Sequence, residues 1–575
     1  MAGVTALQPT EPPIEQRILS LEVSGKLSDA AACYERLPQP FKMHHLSGLI
    51  QCYLDLDNVN TALNFAQGAL ARQPEFGNML LEMQAEPLWR LGRDADWNPL
   101  LERPELVDNT YWGAQIGKAL LSFQNRDRGL FDGLIQSLKN QQADLLGAAS
   151  VEEGAYQHGY CYISRLHALN ELQQVERATY EILKGGDAVR VIKNLAKEWE
   201  LRIKVVQESV RIVEPLMCLR RVAVEQSKRI IEERVPGGVP LLNSLLGECW
   251  LYSAQTARLA GVHQQSYTYT LKAEEFAPPS LFVEKSKLHW LREEHEQALT
   301  TLRRGLEILL PDSSKEAIAA LPLEKRKICA EAKLLIATYN DTVSNVDTDI
   351  KTANYREATE VYKEWETGLV SLAQFFDRRF QNYSDEDRDS RGSDMQIWMI
   401  SYFCKSLRYG TAFVYQSLPR LLSIWFDYGT RLLDVTDPQT RDERKTNLIK
   451  MTKLIDVALE TLPVYVFLTA FSQIISRICH PQKEVYVELK SIIIKLLLNY
   501  PQQSLWMIIS VIKSSYMVRS KRCADIISDP KLKTIAKLVK DFTSLAEKLI
   551  ELCNKDVAQD VETTTVSVLL RTLPR

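Results

Sequence analysis

The sequence has few of the features that mark metal or redox chemistry. Its ten cysteines are widely spread, and even the closest pair, Cys33 and Cys52, is 19 residues apart. This spacing excludes Cys-x-x-Cys pairs, and with them zinc ribbons, redox motifs and a dense disulfide framework. We therefore expect reduced, mostly buried thiols in an intracellular, soluble protein.

An excess of one charge and long apolar runs are lacking too. Lys plus Arg number 70 and Asp plus Glu 73, for a formal net charge of -3, so no overall basic excess points to nucleic acid. The most apolar stretches, 464–475 and 505–512, are too short to span a bilayer and predict buried core helices. Residues 1–15 contain no apolar run of the kind that a secretory leader has. We expect neither a membrane partner nor a direct nucleic-acid site.

Glycine (24) and proline (23) are scarce for a chain of 575 residues, and few segments alternate with the period of a strand. Apolar residues recur instead at helical spacing, as in the run Leu448, Met451, Leu454, Ile455 and Leu459. The chain is also too long for one hydrophobic core. These features predict an all-α protein with several cores or an elongated array.

A repeat decides between several cores and an array. A turn residue is followed five positions later by a small residue, and four positions after that by an aromatic or apolar one. The copies are Gly25-Ala30-Tyr34, Asp57-Ala62-Ala66, Gly261-Ser266-Thr270 and Glu293-Ala298-Leu302, then Asn354-Ala358-Tyr362 with the small residue four positions on, and Gly92 with the large Trp97 as an imperfect copy. Spacings of 32–35 residues between neighbouring copies are typical of tetratricopeptide-like helix pairs. The turn residue would end the first helix, and the small residue would let the second helix approach it closely. The fold is thus predicted to be an α-solenoid.

Stretches rich in glycine, proline or charge predict the boundaries. They are a turn at 185–187, a boundary at 235–240, a connector at 310–322, and charged loops at 384–394 and 434–444. Beyond about residue 395 the repeat fades, and longer HEAT-like helices are predicted over 395–433, 446–478, 484–500, 502–518 and 530–554. The predicted division is a flexible N-terminus (1–13), tetratricopeptide-like blocks (14–235 and 241–394), a HEAT-like block (395–556) and a tail (557–575).

Motifs for nucleotide, metal or nucleophile chemistry are missing from the sequence. It has no GxGxxG, GxxxxGK[ST], HRD, DFG or GxSxG motif. His295-Glu296 begins like the zinc motif HExxH, but Leu299 stands where the second histidine belongs. His289 lies six residues before His295, which does not place both on one helix face. The basic clusters at 325–327 and 519–522 are typical of solvated helix faces. We predict no catalytic, cofactor-binding or metal-binding residue.

Several motifs resemble the FAT region of the phosphatidylinositol-3-kinase-related protein kinases, and within them the ATR-like checkpoint kinases. They are GAYQHGY (154–160) with RLH (165–167), GECWLYSA (247–254) with ARLAG (257–261), SLPRLLSIW (417–425) with DYG (427–429), FLTAFSQ (467–473) running into SRICHP (476–481), YPQQSLW (500–506), KSSY (513–516) and ELCNK (551–555). The resemblance covers roughly residues 14–556. The motifs from 417 to 516 are the more specific ones.

The resemblance implies a non-catalytic helical scaffold of a nuclear serine/threonine kinase of the DNA-damage checkpoint. In that family the FAT helices embrace the kinase lobes, regulate them and contribute to dimerisation. The kinase domain itself has no counterpart in these residues, so none of the family's nucleotide or metal residues is carried over. The resemblance implies a kinase domain of the same parent protein as the partner, and a homodimer as a possible assembly. The alternatives are a free-standing tetratricopeptide adaptor that binds peptides, and an active kinase, which the missing phosphate and metal motifs disfavour.

Overall fold

The computed structural model describes residues 13–103, 111–151, 156–312, 314–343, 347–512 and 516–554. Every regular element within these ranges is a helix, which confirms the all-α prediction. The predicted N-terminus up to residue 12 and the tail 557–575 lie outside the described residues, as do residues 154–155 and 513–515 of two motifs. No helix among the described residues is both long and apolar enough to cross a membrane.

The helices are of ordinary length and follow one another after short turns. In chain order they are α1 (Ile14–Val23), α2 (Leu27–Glu35), α3 (Met43–Asp55), α4 (Val59–Arg72), α5 (Gly77–Arg90), α6 (Asp94–Leu101), α7 (Trp112–Gln124), α8 (Arg128–Ala149), α9 (Tyr156–Leu183), α10 (Ala188–Ile203), α11 (Val210–Glu232), α12 (Val239–Leu259), α13 (His263–Glu274), α14 (Leu281–Leu291), α15 (His295–Leu309), α16 (Lys315–Ala320), α17 (Leu323–Thr342), α18 (Thr348–Val361), α19 (Glu366–Gln381), α20 (Asp385–Tyr409), α21 (Val414–Arg431), α22 (Pro438–Thr461), α23 (Tyr465–Leu468), α24 (Phe471–Ser476), α25 (Lys483–Asn499), α26 (Pro501–Ile512), α27 (Met517–Ile527) and α28 (Ala536–Cys553). Short 3-10 helices lie at Pro74–Phe76, Pro236–Gly238 and Pro530–Ile535.

The chain forms two compact units, residues 1–301 (unit 1) and 302–575 (unit 2), with the boundary inside α15. Within each unit a helix packs mainly on the helix that follows it in the chain, as helix-pair repeats do. The turn at 185–187 and the boundary at 235–240 both separate helices, as predicted. The finer division into blocks 14–235, 241–394 and 395–556 stays a prediction.

The predicted turn residues of the repeat adopt the backbone conformation that such turns need. Gly25, Gly92 and Gly261 have φ angles of 75°, 65° and 78°, in the left-handed region that favours glycine. Asp57 and Glu293 take the same conformation without being glycine, at φ 56° and 63°. Five copies of the pattern therefore mark true helix-pair turns.

The predicted small residues lie where two helices of a pair meet. Ser266 is fully buried, and its hydroxyl donates to the Ala254 carbonyl oxygen (2.8 Å) on the partner helix; in the next pair Ser286, on the first helix, donates likewise to the Ala298 carbonyl oxygen (2.9 Å). The alanines at this position, Ala30, Ala62, Ala298 and Ala358, are also fully buried. Small side chains thus allow the helices to approach and, where serine is present, to be joined by a hydrogen bond.

The last predicted copy of the turn is wrong in its register. Asn354 lies in the middle of α18 rather than in a turn, and Tyr362 follows the end of that helix. Ala358 is nevertheless buried, because α18 packs this face on its neighbours. The match at Asn354 arises from helical periodicity alone.

Two predicted loops are helical. The segment 384–394 begins α20, because the Ser384 hydroxyl accepts a hydrogen bond from the Asp387 amide (3.2 Å) and so caps the helix. The segment 434–444 becomes helical from Pro438 onward, where the Asp437 carboxylate accepts from the Thr440 amide (2.8 Å). Both segments carry a cap residue that permits a helix.

Two predicted long helices are interrupted. The helix expected over 395–433 breaks between Tyr409 and Val414, where the Glu366 carboxylate accepts hydrogen bonds from the Ala412 (3.2 Å) and Phe413 (2.9 Å) amides. The helix expected over 446–478 breaks after Thr461 at Leu462-Pro463, since a residue before proline is disfavoured in the α conformation. Two short helices, α23 and α24, follow that break.

All ten cysteines are free thiols, and six of them are buried, which confirms the prediction made from their spacing. Cys161 and Cys553 are exposed.

Candidate interaction surfaces

The motifs of unit 2 that carry the family resemblance contact one another inside its core. The Gln473 amide donates to the Pro419 carbonyl (3.1 Å) and to the Ser423 hydroxyl (2.9 Å), joining the motifs at 467–473 and 417–425. Trp425 is fully buried, and its indole N–H donates to the Thr452 hydroxyl (3.0 Å). These motif residues therefore hold helices together.

His480, the histidine of the SRICHP motif, also has a structural role. Its Nε2 lies 3.0 Å from the Phe426 carbonyl oxygen, and its Nδ1 accepts from the Gln482 amide (3.2 Å). A Cβ added at Gly429, the glycine of the DYG motif, would come within 2.8 Å of the His480 ring. Burial lowers the pKa of His480, so the ring is neutral in the core. It joins α21 to the turn before α25.

The motif residues of unit 1 also hold helices together. A Cβ at Gly247 would lie 2.8 Å from Cβ of Phe276, so the glycine permits close packing of α12 on the segment after α13. Ser253 accepts a hydrogen bond from the Arg221 guanidinium (2.8 Å). Ala254 and Gly261 form the buried contact and the turn of the helix pair already described.

Unit 1 contains several ion pairs that are buried or nearly so, some between helices and some within one helix. Arg220 forms a two-pronged pair with Glu171, with both N–O distances at 2.6 Å and both side chains at most 6 % exposed. Arg221 pairs with Glu214 at 2.5 Å and lies 3.8 Å over the Trp250 ring. Such pairs need good geometry to offset the loss of hydration. Further pairs of this kind join Glu86 to Arg90 and Glu284 to Arg258.

A buried carboxylate lies beside this network at the turn between α3 and α4. Asp57 accepts a hydrogen bond from the Tyr269 hydroxyl on α13. Burial and then the nearby charge of Glu214 raise the pKa of Asp57 to about 6. Gln265 donates to the Leu56 carbonyl oxygen (2.5 Å) in the same contact. The turn between α3 and α4 thus contacts α13, whose residues lie more than two hundred positions later in the chain.

One cluster has the residue types of a metal site, and sequence order did not reveal it because Glu15 is distant in the chain. Ligand atoms of Glu15, His44 and His45 lie within 4.8 Å of one another. However, the Lys42 ammonium lies 3.0 Å from the same Glu15 oxygen that faces His45. The His45 Nδ1 accepts from the Lys42 amide (3.4 Å), which leaves the proton on Nε2, where a metal would bind. The cluster therefore caps α3.

His289 and His295 do not meet as metal ligands. The His289 Nδ1 lies 2.5 Å from a Glu294 carboxylate oxygen, and the His295 ring lies 4.2 Å from the Trp290 ring at a tilt of 54°. Of the basic clusters, Lys327 pairs with Glu324 on the helix surface (3.2 Å). Arg522 donates to the Ile478 and His480 carbonyl oxygens, each at 2.8 Å, and so stabilises the turn after α24.

The last helix of unit 2 is only partly covered. Its apolar stripe, Leu538, Phe542, Leu545, Leu549 and Leu552, repeats every 3.5 residues, a spacing typical of helix–helix pairing. The first two residues pack on the core of unit 2, whereas Leu545 and Leu549 are 45 % and 39 % exposed. The second half of the stripe is thus open to another helix.

Exposed apolar side chains also occur on the two preceding helices. We use the name C-terminal apolar set for the exposed residues Trp506, Met517, Val518, Leu545, Leu549 and Ile550. Met517 is 82 % exposed and Trp506 is 50 % exposed, both large values for apolar residues. Exposed apolar surface of this kind is typical of a protein–protein contact.

Two family models match the chain. The FAT domain model matches residues 81–423, and the model "Serine/threonine-protein kinase ATR-like, HEAT repeats" matches residues 450–546. The second match agrees with the HEAT-like packing predicted for the longer C-terminal helices.

Relatives in curated collections are similar over almost the whole chain. Serine/threonine-protein kinase ATR of Drosophila melanogaster is 31 % identical over 573 residues, which is 97 % of this chain and 22 % of that protein. Serine/threonine-protein kinase ATR of Arabidopsis thaliana and protein kinase rad3 of Schizosaccharomyces pombe are each 24 % identical, over 94 % of this chain. The chain spans about a fifth of the length of these relatives.

Among solved structures, yeast Tom70 aligns over 94 % of this chain and 96 % of its own chain at 12 % identity. The TM-score of 0.25 is too low to indicate a shared fold. The FAT model, in contrast, matches more than half of the residues. Because this match is joined by the ATR-type HEAT model and by full-span similarity to ATR kinases, the chain belongs to the FAT domain family and corresponds to the FAT region of the ATR-like kinases.

Proposed function

We propose that the chain is the non-catalytic helical scaffold of an ATR-like serine/threonine kinase of the DNA-damage and replication checkpoint, acting in the nucleus. The relatives are named as kinases, and the chain corresponds to a region of them that the FAT and HEAT models describe. The motifs that carry the resemblance join helices to one another, as a scaffold requires. Catalysis would belong to the kinase domain of the parent protein.

The exposure of the C-terminal apolar set is the strongest support for this proposal. Helices α26 to α28 expose Trp506, Met517 and Leu545, although the core beneath them is fully packed. We expect this surface to contact the parent's kinase domain, and the open half of the α28 stripe to support a homodimer. Burial of such residues in an interface would remove apolar surface from water.

Analytical ultracentrifugation tests the exposed surface directly. The chain should self-associate as its concentration rises, and the L545Q/L549Q variant should shift this association to at least about tenfold higher concentration. The exposed, polar substitution S544Q, on the same helix, is the matched control and should leave association unchanged. A clean monomer at every concentration would contradict the role of this surface in dimerisation.

A second experiment tests the contact with the kinase domain. The kinase domain of the Drosophila relative, labelled and purified, should bind the chain, and L545Q/L549Q should weaken this binding. Equal binding by both forms would place the contact elsewhere. Phosphate transfer from ATP by the purified 575-residue chain alone would overturn the non-catalytic assignment.

A further inference from the structure

A cavity of about 270 Å³ in unit 1 has an apolar base. Phe123 from α7, Phe131 from α8 and Ile230 from α11 contribute to its lining, and each is at most 5 % exposed. Leu183 at the end of α9 completes the apolar part. The ends of four helices, α7, α8, α9 and α11, therefore meet around a space that is smaller than a usual small-molecule pocket.

The rim of this cavity is basic. Arg126 and Arg128 reach it from the turn between α7 and α8, Lys184 from the end of α9, and Arg234 from just after α11. Arg126 has an exposed partner in Glu233 at 3.2 Å, a pair of little energetic weight. Among the described residues, Lys184 and Arg234 form no salt bridge with a carboxylate.

Two of the rim cations share one aromatic ring. The Arg128 guanidinium carbon lies 4.2 Å and the Lys184 ammonium 4.4 Å from the centroid of the Tyr180 ring. Lys184, and then Arg128, lower the pKa of the Tyr180 hydroxyl, as a positive local potential does. The two cations thus share one aromatic ring, and Arg128 also pairs with Asp132 (3.7 Å) and Glu176 (3.4 Å), whereas Lys184 has no such carboxylate among the described residues.

The lining contains two carboxylates, Asp127 and Glu176, against four cations. Asp127 caps α8 by accepting from the Leu130 amide (3.0 Å). Glu176 is 7 % exposed, and one of its oxygens lies 3.4 Å from the Arg128 Nε. Its other oxygen, Oε2, is buried without a hydrogen-bond partner. The cavity therefore combines excess cations at the rim with an unpartnered acceptor in its wall.

We infer that this basic-rimmed cavity binds an acidic peptide segment of a protein partner. One apolar side chain would enter the base, flanking carboxylates or phosphates would pair with Lys184, Arg234 and Arg126, and a backbone N–H of the peptide would donate toward Glu176. The volume suits a single side chain better than a nucleotide. Cations that come from separate elements suit charges spaced along an extended segment. This goes beyond the scaffold role, because the cavity lies in unit 1 and the C-terminal apolar set in unit 2.

Selection of random heptapeptides displayed on phage against the immobilised chain tests the inference. The enriched peptides should be acidic around one apolar residue. A fluorescein-labelled copy of the leading peptide should bind in an anisotropy titration, more weakly as salt is raised. The K184E/R234E variant should weaken this binding at least about tenfold. Both substituted residues are exposed, so the fold should survive, which circular dichroism checks.

Charge reversal elsewhere in unit 1 supplies the matched control. The exposed residues Lys193 and Lys197 on α10 do not line the cavity, and K193E/K197E should leave peptide binding unchanged. Equal losses in both double variants, or enrichment of basic or uncharged peptides only, would overturn the inference. So would single-stranded DNA or tripolyphosphate that binds in place of any peptide and is lost in K184E/R234E. The ultracentrifugation result for L545Q/L549Q is independent of each of these outcomes.

Discussion

The two units of the chain are stabilised in different ways. The core of unit 1 contains buried ion pairs, such as Glu171 of α9 with Arg220 of α11, and Glu214 with Arg221 within α11. The core of unit 2 is dominated by apolar and aromatic side chains, among them Phe403, Phe426, Phe467 and Phe471. Of the described Asp, Glu, Lys and Arg side chains in unit 2, Glu488 alone is buried.

The two kinds of core contribute differently to the fold: one mainly stabilises it, and the other mainly disfavours incorrect packing. Apolar burial supplies most of the stabilisation and tolerates shape-conserving substitutions. A buried ion pair adds little net stability, but it strongly penalises any arrangement that separates its members. Unit 1 should therefore be sensitive to geometry and charge, and unit 2 to volume. The substitutions below test this contrast, from the largest expected effect to the smallest.

Removal of Arg221 should have the largest effect in unit 1. R221M leaves Glu214 buried without its counter-charge, which should lower the free energy of unfolding by about 3–5 kcal/mol. R221K should also be destabilising, since lysine cannot pair with Glu214 and Ser253 in the same planar geometry. Urea denaturation followed by circular dichroism measures both.

The double variant E214L/R221M is the control for this substitution. It removes both charges and should recover much of the stability lost in R221M. If R221M and the double variant were equally unstable, packing rather than charge would account for the effect, and the contrast between the units would fail.

In unit 2 the corresponding substitution removes volume. Phe471 is fully buried, so F471A should lower the free energy of unfolding by about 3–5 kcal/mol through lost burial and a residual cavity. F471L, which keeps most of the volume, should cost less than about 1.5 kcal/mol. Urea denaturation measures the free energy of unfolding of both variants. If F471L were as unstable as F471A, unit 2 would be as sensitive to geometry as unit 1.

A carboxylate in each unit should make stability depend on pH. The pKa is raised to about 6 for Asp57 and to about 7 for Glu488, by burial first and then by neighbouring acids. Each folded-state pKa exceeds the unfolded one, so the folded state binds the proton more tightly. The stabilisation is complete below about pH 4 and is lost as pH rises through 6 or 7, by up to about 3 kcal/mol.

D57N and E488Q should each raise the thermal midpoint at pH 7.5. The midpoint should then vary less with pH, below about pH 6 for D57N and below about pH 7 for E488Q. The amide introduced by D57N keeps an acceptor for Tyr269, and asparagine tolerates the left-handed φ at this turn. The exposed Asp541, changed to asparagine, is the control and should leave the curve unchanged. A lower midpoint for D57N at pH 7.5 would show that the Asp57 charge is needed by the unit 1 network.

The cap of α20 should give the smallest effect. S384A removes the acceptor for the Asp387 amide and should cost about 1 kcal/mol. S384D, which restores an acceptor, should recover the loss and separates capping from a general effect of the substitution. Hydrogen exchange at the first turn of α20 measures it locally, and unchanged exchange in S384A would contradict the capping role.

Turns and helix ends that depend on residues close in the chain can be predicted from the sequence. The turns at Gly25 and Gly261 follow from glycine at helix-pair spacing. The helical start at Ser384 depends on a local cap, but a run of charged residues equally predicts a loop, so the loop prediction is wrong there. The break before Val414 depends partly on the Glu366 carboxylate, 46 residues before Ala412, and no local rule supplies that partner.

The functional surfaces follow the same division. Family motifs identified the scaffold, and helical periodicity predicts the stripe of α28. The ion pair of Glu171 with Arg220 joins residues 49 apart, and the basic-rimmed cavity gathers three separate segments of the chain. Only packing brings such residues together.

The contact of Asp57 and Leu56 with α13 has a consequence for synthesis on the ribosome. Tyr269 is made 212 residues after Asp57. At roughly 5–20 residues per second, the early helix pairs wait about 10–40 s before their partner helix exists. During that interval Asp57 and the Leu56 carbonyl lack their hydrogen-bond partners, Tyr269 and Gln265. Unit 1 should therefore depend on ribosome-bound chaperones, or on slow translation near α13, more than its repeat architecture suggests.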